Sequence, residues 1–272
     1  MAVNRRNVIG PAGARTGAMP QDQDKEFMAT LAKGLAVLGL FDKQRPAMTL
    51  SQAAEAAGLS RATARRILRT LAGLGYVTQN GRQFSLSSGI LKLGFAYLAT
   101  QNWIEQAAPL LRQLSEQFHE SCSAATLEGT DIVYVSRVPA RRIMSVTLAV
   151  GTRLPAFHTS LGRIQLGFLD DAELWRRLRS LHIEAFTPST ITDIQALYER
   201  VREDHAQGFS IVDEELERGL RSIAVPVLDR SGQAIAALNV STHSTRTTRN
   251  EMRERFLPSL RAVAEQIVLS AA

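Results

Sequence analysis

The 272-residue sequence contains one cysteine, Cys122, and no apolar run that approaches 18 residues. A single cysteine cannot form an internal disulfide or supply a cysteine-based zinc cluster, which excludes a disulfide-stapled secreted fold. The lack of a long apolar run excludes a transmembrane helix. Residues 1–24 place Gly, Pro and Ala where a signal peptide needs an apolar core, so we expect a cytoplasmic protein with a disordered N-terminal tail.

The basic residues that are present lie in one part of the chain. Residues 25–100 contain ten Lys and Arg against three acidic residues, whereas residues 101–272 contain nineteen against twenty-one. The formal net charge of +6 therefore comes from one N-terminal segment of domain size. Such a segment is typical of a module that binds a polyanion, although a solvated basic face would have the same charge.

This basic segment carries, in order, the signals of three helices. Apolar positions at helical spacing predict a first helix from Met28 to near Phe41. A capping box at residues 49–52 (TLSQ) predicts the start of a second helix. Gly58 is suited to end that helix, and Ser60 to cap the next one. Two helices joined by a tight glycine turn are the helix-turn-helix layout.

The third helix has an apolar side and a basic side. At about 100° per residue, the apolar side comprises Ala64, Ile67, Leu68, Leu71 and Leu74. The opposite side comprises Ala62, Arg65, Arg66 and Arg69, with Arg61 and Thr63 beside them. Arginine is suited to guanine edges and phosphates because its donors form a rigid fork. This pattern predicts a DNA-recognition helix.

A hairpin follows this helix. Asn80-Gly81 lies between two short alternating runs, which predicts a type I′ turn with Arg82 near the tip. A hairpin after a recognition helix is typical of a wing that contacts DNA. The candidate DNA-binding residues are Ser60, Arg61, Ala62, Thr63, Arg65, Arg66, Arg69 and Arg82.

The rest of the chain predicts a second domain of α+β class. Residues 90–98 are apolar almost all round, which is typical of a linker helix in a dimer contact or of an ordinary core helix. Pro109 should kink or restart the helix that follows. Strands at 123–127, 131–138, 143–149, 209–213, 220–228 and 234–241 alternate with grouped helices near 160–169, 171–181, 193–207 and 249–269. This order favours an antiparallel sheet. A second capping box is expected at residues 192–195.

No catalytic or metal-binding pattern appears in this second domain. His158, Ser160 and Asp213 lie in no known catalytic motif, and neither His158 nor His182 has a partner at ligand spacing. No phosphate-binding glycine loop is present. Cys122 could be a redox sensor, but it is more typical of a small buried hydrophobe. We therefore expect no enzymatic activity, no cofactor and no metal.

The segment LSRATARRILRTL at residues 59–71, followed by Gly75-Tyr76-Val77, resembles the winged helix of IclR-family transcriptional regulators. The resemblance covers nearly everything after the tail. It implies a winged helix-turn-helix DNA-binding domain at 25–86 and a linker helix at 87–101. It also implies a GAF-like effector-binding and oligomerisation domain at 102–272.

The same resemblance implies an effector pocket. Segments 151–163, 208–215, 219–226 and 236–243 are similar to the family's pocket walls. The candidate effector-binding residues are Ile143, Val146, His158, Ser160, Leu161, Gly162, Arg163, Val212, Leu220, Ser222, Asn239 and Ser241. Such an apolar slot with a few polar groups suits a small organic acid. His158, Arg163 or Arg221 could supply positive charge, or each could form a structural ion pair, and residues 213–215 are expected to be a solvated acidic strand end.

Within the family, LPAFHTSLGR, GLRSIAVPV and AALNVSTHS most resemble the branch that regulates protocatechuate and 4-hydroxybenzoate catabolism. The expected partners are an operator in double-stranded DNA, an aromatic acid, and further copies of the chain in a homodimer or a dimer of dimers. RNA polymerase is a further candidate partner, and a membrane is not. Three alternatives remain open: a regulator with a non-aromatic effector, a DNA-binding protein without a ligand, and an enzyme with a nucleic-acid tether.

Overall fold

The computed structural model describes residues 26–140 and 148–270. They form two compact units that divide between Thr100 and Gln101. The predicted tail and most of the predicted strand at 143–149 lie outside the described residues. No helix within the described residues is long and apolar enough to cross a membrane.

The N-terminal unit is a helix-turn-helix with a small antiparallel sheet of order β1-β3-β2. Its elements are α1 (Ala29–Leu38), β1 (Ala47–Thr49), α2 (Leu50–Ala56), α3 (Arg61–Gly73), β2 (Val77–Asn80), β3 (Gln83–Leu86), a 3₁₀ turn (Ser88–Ile90) and α4 (Leu91–Ala99). One apolar cluster joins the three helices and the sheet, with Val37, Ala53, Leu68, Met48 and Phe84 among its buried members. The predicted winged helix-turn-helix is confirmed.

The local signals that define the helix-turn-helix are confirmed. The Thr49 hydroxyl accepts a hydrogen bond from the backbone N–H of Gln52. The side-chain oxygen of Gln52 accepts one from the backbone N–H of Thr49, which completes the capping box. Gly58 follows α2 with φ +64°, a conformation that glycine adopts without steric cost. Ser60 caps α3 by accepting from the Thr63 amide at 3.2 Å. These caps fix the turn between α2 and α3.

Two details of this unit differ from the expectation. Asn80 pairs with Gln83 in the ladder, so the turn residues are Gly81 and Arg82. Only Gly81 has positive φ, as in a type II′ turn, and the predicted type I′ turn at Asn80-Gly81 is wrong. Leu74 is 63% exposed because α3 ends at Gly73, before the apolar stripe reaches it.

Helix α4 has no buried residue in the described structure. Four of its large apolar side chains are between 43% and 64% exposed, namely Leu91, Leu93, Phe95 and Tyr97. This exposure argues against an ordinary core helix. The linker role remains a prediction.

The C-terminal unit is built on an antiparallel sheet of order β6-β5-β4-β9-β8-β7. Its elements are α5 (Asn102–Phe118), β4 (Ser121–Glu128), β5 (Asp131–Val138), β6 (Arg153–Pro155), α6 (Ser160–Leu166), α7 (Asp171–Arg179), α8 (Ile194–Gln207), β7 (Ser210–Asp213), β8 (Leu220–Leu228), β9 (Ala234–His243), α9 (Arg249–Glu251) and α10 (Leu257–Ser270). The predicted α+β class is confirmed.

Helices cover both faces of this sheet. Helix α6 packs on one face, where Leu161 and Ile164 share a buried cluster with Ala224 of β8 and Ala237 of β9. Residues that alternate with these alanines project to the opposite face, because strand side chains have a period of two. Helices α5 and α10 contact the sheet and each other there. The residues of β8 and β9 predicted to line an effector pocket are an even number of positions from these alanines, so they lie on the α6 face.

Prolines and caps account for the remaining differences. Of the two effects expected of Pro109, a kink or a restart, the restart is wrong because helix α5 runs unbroken through Pro109. A π-helical turn at Met252–Phe256 precedes Pro258 and divides the expected final helix into α9 and α10. Asp193, not Thr192, caps α8 by accepting from the Ala196 amide at 2.8 Å, so the second capping box is wrong.

Candidate DNA interface and effector site

The basic face of α3 is exposed. Arg61, Arg65, Arg66 and Arg69 are exposed, whereas Ala64, Ile67, Leu68 and Leu71 of the same helix are buried. Ala62 is also exposed, and the Ser60 and Thr63 hydroxyls lie 2.9 Å apart at the helix start. The apolar side anchors the helix so that its basic side faces outward.

The arginines of this face lack carboxylate partners within the described residues. Their guanidinium groups form no ion pair there, and the same holds for exposed Arg82 at the wing tip. The ion pair seen in this unit joins Arg45 to Asp42, away from α3. Unpaired guanidinium groups keep their donors available for phosphates and guanine edges. The arrangement is suited to DNA.

A second set of polar side chains crosses the α6 face of the C-terminal sheet. Opposite residues of antiparallel strands share a face, so the pairs Arg137–Ser123, Ser123–Asn239 and Ser241–Ser222 lie on one side. Ser160, the first residue of α6, contacts this set through Ser222. We call these six residues the polar row: Arg137, Ser123, Asn239, Ser241, Ser222 and Ser160.

Three hydrogen bonds connect neighbours in the polar row. Arg137 Nη1 donates to Ser123 Oγ at 3.1 Å, and Asn239 Nδ2 donates to Ser241 Oγ at 3.0 Å. Ser160 Oγ donates to Ser222 Oγ at 2.9 Å. The sheet register and the packing of α6 thus bring together four predicted effector residues, namely Ser160, Ser222, Asn239 and Ser241.

Three buried polar atoms, two in the polar row and one just before α6, have no hydrogen-bond partner among the described residues. They are Asn239 Oδ1, Arg137 Nε and His158 Nδ1. Buried polar groups in native proteins are nearly always paired, and an unpaired one is destabilising. A polar ligand would supply the missing partners.

His158 is buried beside α6, with its ring edge-on to Phe186 at a centroid distance of 5.7 Å. Burial and the positive charge of nearby Arg163 lower the pKa of His158 to about 4. The negative charge of Glu215 acts in the opposite direction but does not cancel them. The imidazole is therefore neutral near pH 7. It offers hydrogen bonding to a ligand but no positive charge.

Arg163 is fully buried, and its charge is already compensated. Its Nη1 lies 2.9 Å from Glu215 Oε1, and its Nε and Nη2 both donate to the Phe157 carbonyl. Glu215 is itself buried, so the expected solvated acidic strand end is wrong at that residue. The structural ion pair, one of the two roles considered for Arg163, is the one observed.

Arg221 is also paired. Its Nε lies 2.7 Å from Asp213 Oδ1, and its Nη1 donates to the Ser244 and Thr247 carbonyls. Three side chains were considered as sources of positive charge for a ligand. Arg163 and Arg221 are paired with carboxylates, and His158 is neutral near pH 7.

The remaining predicted effector residues lie at the same face or outside the described residues. Val212 pairs with Ser222, and Leu220 begins the same strand β8. Leu161 is buried in α6, where Gly162 allows close packing because a Cβ there would lie 2.4 Å from Ala156. Ile143 and Val146 lie outside the described residues.

Two residues of the polar row, Arg137 and Ser123, were not singled out from the sequence. The period-two pattern of a strand predicts only that Arg137 shares a face with alternate residues of β5. Its position beside Ser123 and Asn239 depends on the order of strands in the sheet, which a single sequence does not specify.

Metal and thiol chemistry find no support among the described residues. They contain no group of three or more His, Cys, Asp or Glu side chains that could hold a metal ion. Cys122 is buried, and burial raises the pKa of its thiol to about 12. Reactive cysteines are thiolates in accessible sites, so Cys122 has the character of a buried hydrophobe.

The fold defines the class of winged helix-turn-helix DNA-binding proteins that carry a second domain. A family model described as IclR helix-turn-helix domain matches residues 30–81. Another, described as Bacterial transcriptional regulator IclR C-terminal, matches residues 95–269. The chain belongs to the IclR family. It is a DNA-binding transcriptional regulator, not an enzyme.

Individual relatives agree with this assignment. The chain is 46% identical to the Pca regulon regulatory protein of Pseudomonas putida, over 90% of this chain and 84% of that protein. A putative transcriptional regulator from Rhodococcus sp. RHA1 superposes with a TM-score of 0.79 at 43% identity, covering 90% of this chain and all of that one. The Acinetobacter PobR inducer-binding domain, solved as a double mutant with 3-hydroxybenzoic acid, has a TM-score of 0.56 at 31% identity. That similarity covers 59% of this chain and 94% of the domain.

Proposed function

We propose that the protein regulates genes of aromatic-acid catabolism by binding an operator through α3 and a small aromatic acid at the polar row. DNA binding is supported by the exposed arginines of a capped helix after a glycine turn, which have no carboxylate partner in the described structure. The three unpartnered buried polar atoms support the effector half. The Pca regulon and PobR relatives support the aromatic class, with protocatechuate or 4-hydroxybenzoate as effector.

The DNA-binding form needs two copies of the chain. We infer that the exposed apolar side chains of α4 pair two protomers in the cytoplasm, as a homodimer or a dimer of dimers. Two recognition helices would then enter successive major grooves about 34–36 Å apart. An effector that binds one arrangement of the protomers more tightly shifts the equilibrium towards it, which changes operator affinity or contact with RNA polymerase.

The DNA half is tested by replacing Arg65 and Arg66 together with Ala. Titration of labelled operator, selected from a random duplex pool, should show weaker binding by about 1–3 kcal/mol for each base that the removed guanidinium groups recognise. The matched control is Arg230→Ala, because Arg230 is an exposed arginine in the turn between β8 and β9. Unchanged affinity in a folded double variant would refute the assignment of these residues.

The effector half is tested by thermal unfolding with protocatechuate, 4-hydroxybenzoate, β-ketoadipate, benzoate and glyoxylate. A ligand at 100 times its Kd should stabilise the folded state by about 2.7 kcal/mol. A shift with the hydroxybenzoates supports an aromatic effector. A shift with glyoxylate alone favours a regulator with a non-aromatic effector, and no shift favours a DNA-binding protein without such a ligand.

A further inference from the structure

We propose that Arg137 binds the carboxylate of the effector at the end of the polar row on β5. This inference rests on the effector site of the proposed function and identifies the residue that recognises the acid. For the hydroxylated acids of the proposed function, it assigns the carboxylate to Arg137 and a hydroxyl group to Asn239.

Charge compensation distinguishes Arg137 from the other cations considered at this site. Arg163 is paired with Glu215, Arg221 is paired with Asp213, and His158 is neutral near pH 7. Arg137 forms no ion pair within the described residues. A partly buried cation without a counter-ion is unfavourable, and an anionic ligand would relieve this.

The surroundings of Arg137 leave a specific part of its guanidinium group unused. Nη1 donates to Ser123 Oγ at 3.1 Å, and the group lies 5.9 Å from the centre of the Tyr134 ring. Nε is buried and has no hydrogen-bond partner among the described residues. Burial lowers the pKa of Arg137, although an arginine remains charged at pH 7. Its planar fork of donors matches the two oxygens of a carboxylate.

A hydrogen-bond acceptor near Arg137, the side-chain oxygen of Asn239, indicates which group the ligand has besides its carboxylate. Asn239 flanks the same Ser123 from the other side, on β9. Its side-chain nitrogen donates to Ser241, whereas its buried Oδ1 has no hydrogen-bond partner in the described part of the chain. That atom accepts a hydrogen bond and therefore matches a hydroxyl donor. A hydroxylated carboxylic acid satisfies both Arg137 Nε and Asn239 Oδ1.

The test compares binding of 4-hydroxybenzoate with binding of its uncharged analogue, 4-hydroxybenzamide, by calorimetry. Arg137→Gln should weaken binding of the acid about 10- to 100-fold, because the variant cannot form the hydrogen bond between two charged groups. Binding of the amide should change by less than about threefold, since a hydrogen bond to a neutral group contributes less. The control Arg230→Gln removes an exposed arginine and should change neither affinity.

Several outcomes would overturn the assignment. If Arg137→Gln binds the acid as tightly as the wild type, or weakens acid and amide equally, Arg137 does not recognise the carboxylate. Should that variant fail to fold, Arg137→Lys keeps the charge without the planar fork and should still weaken the acid more than the amide. Equal weakening in Arg137→Lys would be evidence against the proposal. If the wild type binds none of the acids, both this proposal and the proposed effector binding are wrong.

Discussion

The exposed face of α3 with its wing and the buried interior around α6 use arginine in opposite ways. On α3 and the wing, Arg65, Arg66, Arg69 and Arg82 are exposed and lack carboxylate partners within the described residues. In the C-terminal unit, Arg163 is fully buried and held by Glu215. An exposed guanidinium remains hydrated at little cost and keeps its donors for another molecule, whereas a buried one needs a counter-ion. Pairing therefore indicates which arginines stabilise the fold and which can bind partners.

The largest effect we expect follows from breaking the buried pair. Arg163→Met should lower the free energy of unfolding by about 3–5 kcal/mol, because it leaves Glu215 buried without its partner. Urea unfolding measures this directly. The matched control is Arg153→Met at the exposed Arg153–Glu128 pair, where the cost should be at most about 1 kcal/mol.

The double variant Arg163→Met with Glu215→Leu provides a second check. Replacing both members of a buried pair with apolar residues is often neutral, so much of the stability should return. Asp204, 4.0 Å from Arg163 Nε in the wild type, also loses this neighbour but keeps its hydrogen bonds from Ser210 and Gln207. Equal stability of Arg163→Met and Arg153→Met would contradict the distinction between buried and exposed arginines.

A somewhat smaller effect is expected from His158. Its pKa is about 4 in the folded protein against an ordinary value of 6.5, so the unfolded chain binds the proton more tightly. Protonation therefore favours unfolding, and stability should fall as pH decreases from about 6.5 to about 4. The change reaches roughly 3 kcal/mol.

Urea unfolding across this pH range, compared with His158→Gln, isolates the contribution of that one group. The variant should have a flatter pH dependence, whereas the exposed His182→Gln should follow the wild type. Parallel curves for wild type and His158→Gln would contradict a buried neutral imidazole.

The smallest effect concerns the start of α3. Ser60→Ala removes the hydroxyl that accepts from the Thr63 amide, which should cost about 1 kcal/mol of stability in the N-terminal unit. Amide hydrogen exchange in the first turn of α3 would detect it, and exchange in α8 of the C-terminal unit should not change. Ser60→Asp, which retains a capping acceptor, should preserve protection, and faster exchange there would argue against capping as the cause.

Local signals in the sequence predicted local structure well. The capping box at Thr49, the glycine turn at Gly58 and the cap at Ser60 each involve residues within a few positions of one another. The sequence prediction was wrong where two adjacent residues could occupy the same structural position. Thr192 and Asp193 could both cap α8, and Asn80 could join either the turn or the strand.

The chemistry of the effector site depended on interactions that no local pattern contains. Arg163 and Glu215 are 52 positions apart, and Ser160 and Ser222 are 62 positions apart. The resemblance to a family placed Asn239 and Ser241 near the pocket. It did not show that Arg163 is already paired while Arg137 is not, because pairing depends on side-chain geometry across strands.

The central claim is that a ligand at the polar row changes binding at α3. Operator affinity should therefore be measured with and without saturating 4-hydroxybenzoate, in the wild type and in Arg137→Gln. We expect a change of about 5- to 150-fold in the wild type, the usual range for coupled sites, and little change in the variant. If the ligand binds the wild type and operator affinity stays the same, the two units are not coupled by this ligand and the account is contradicted.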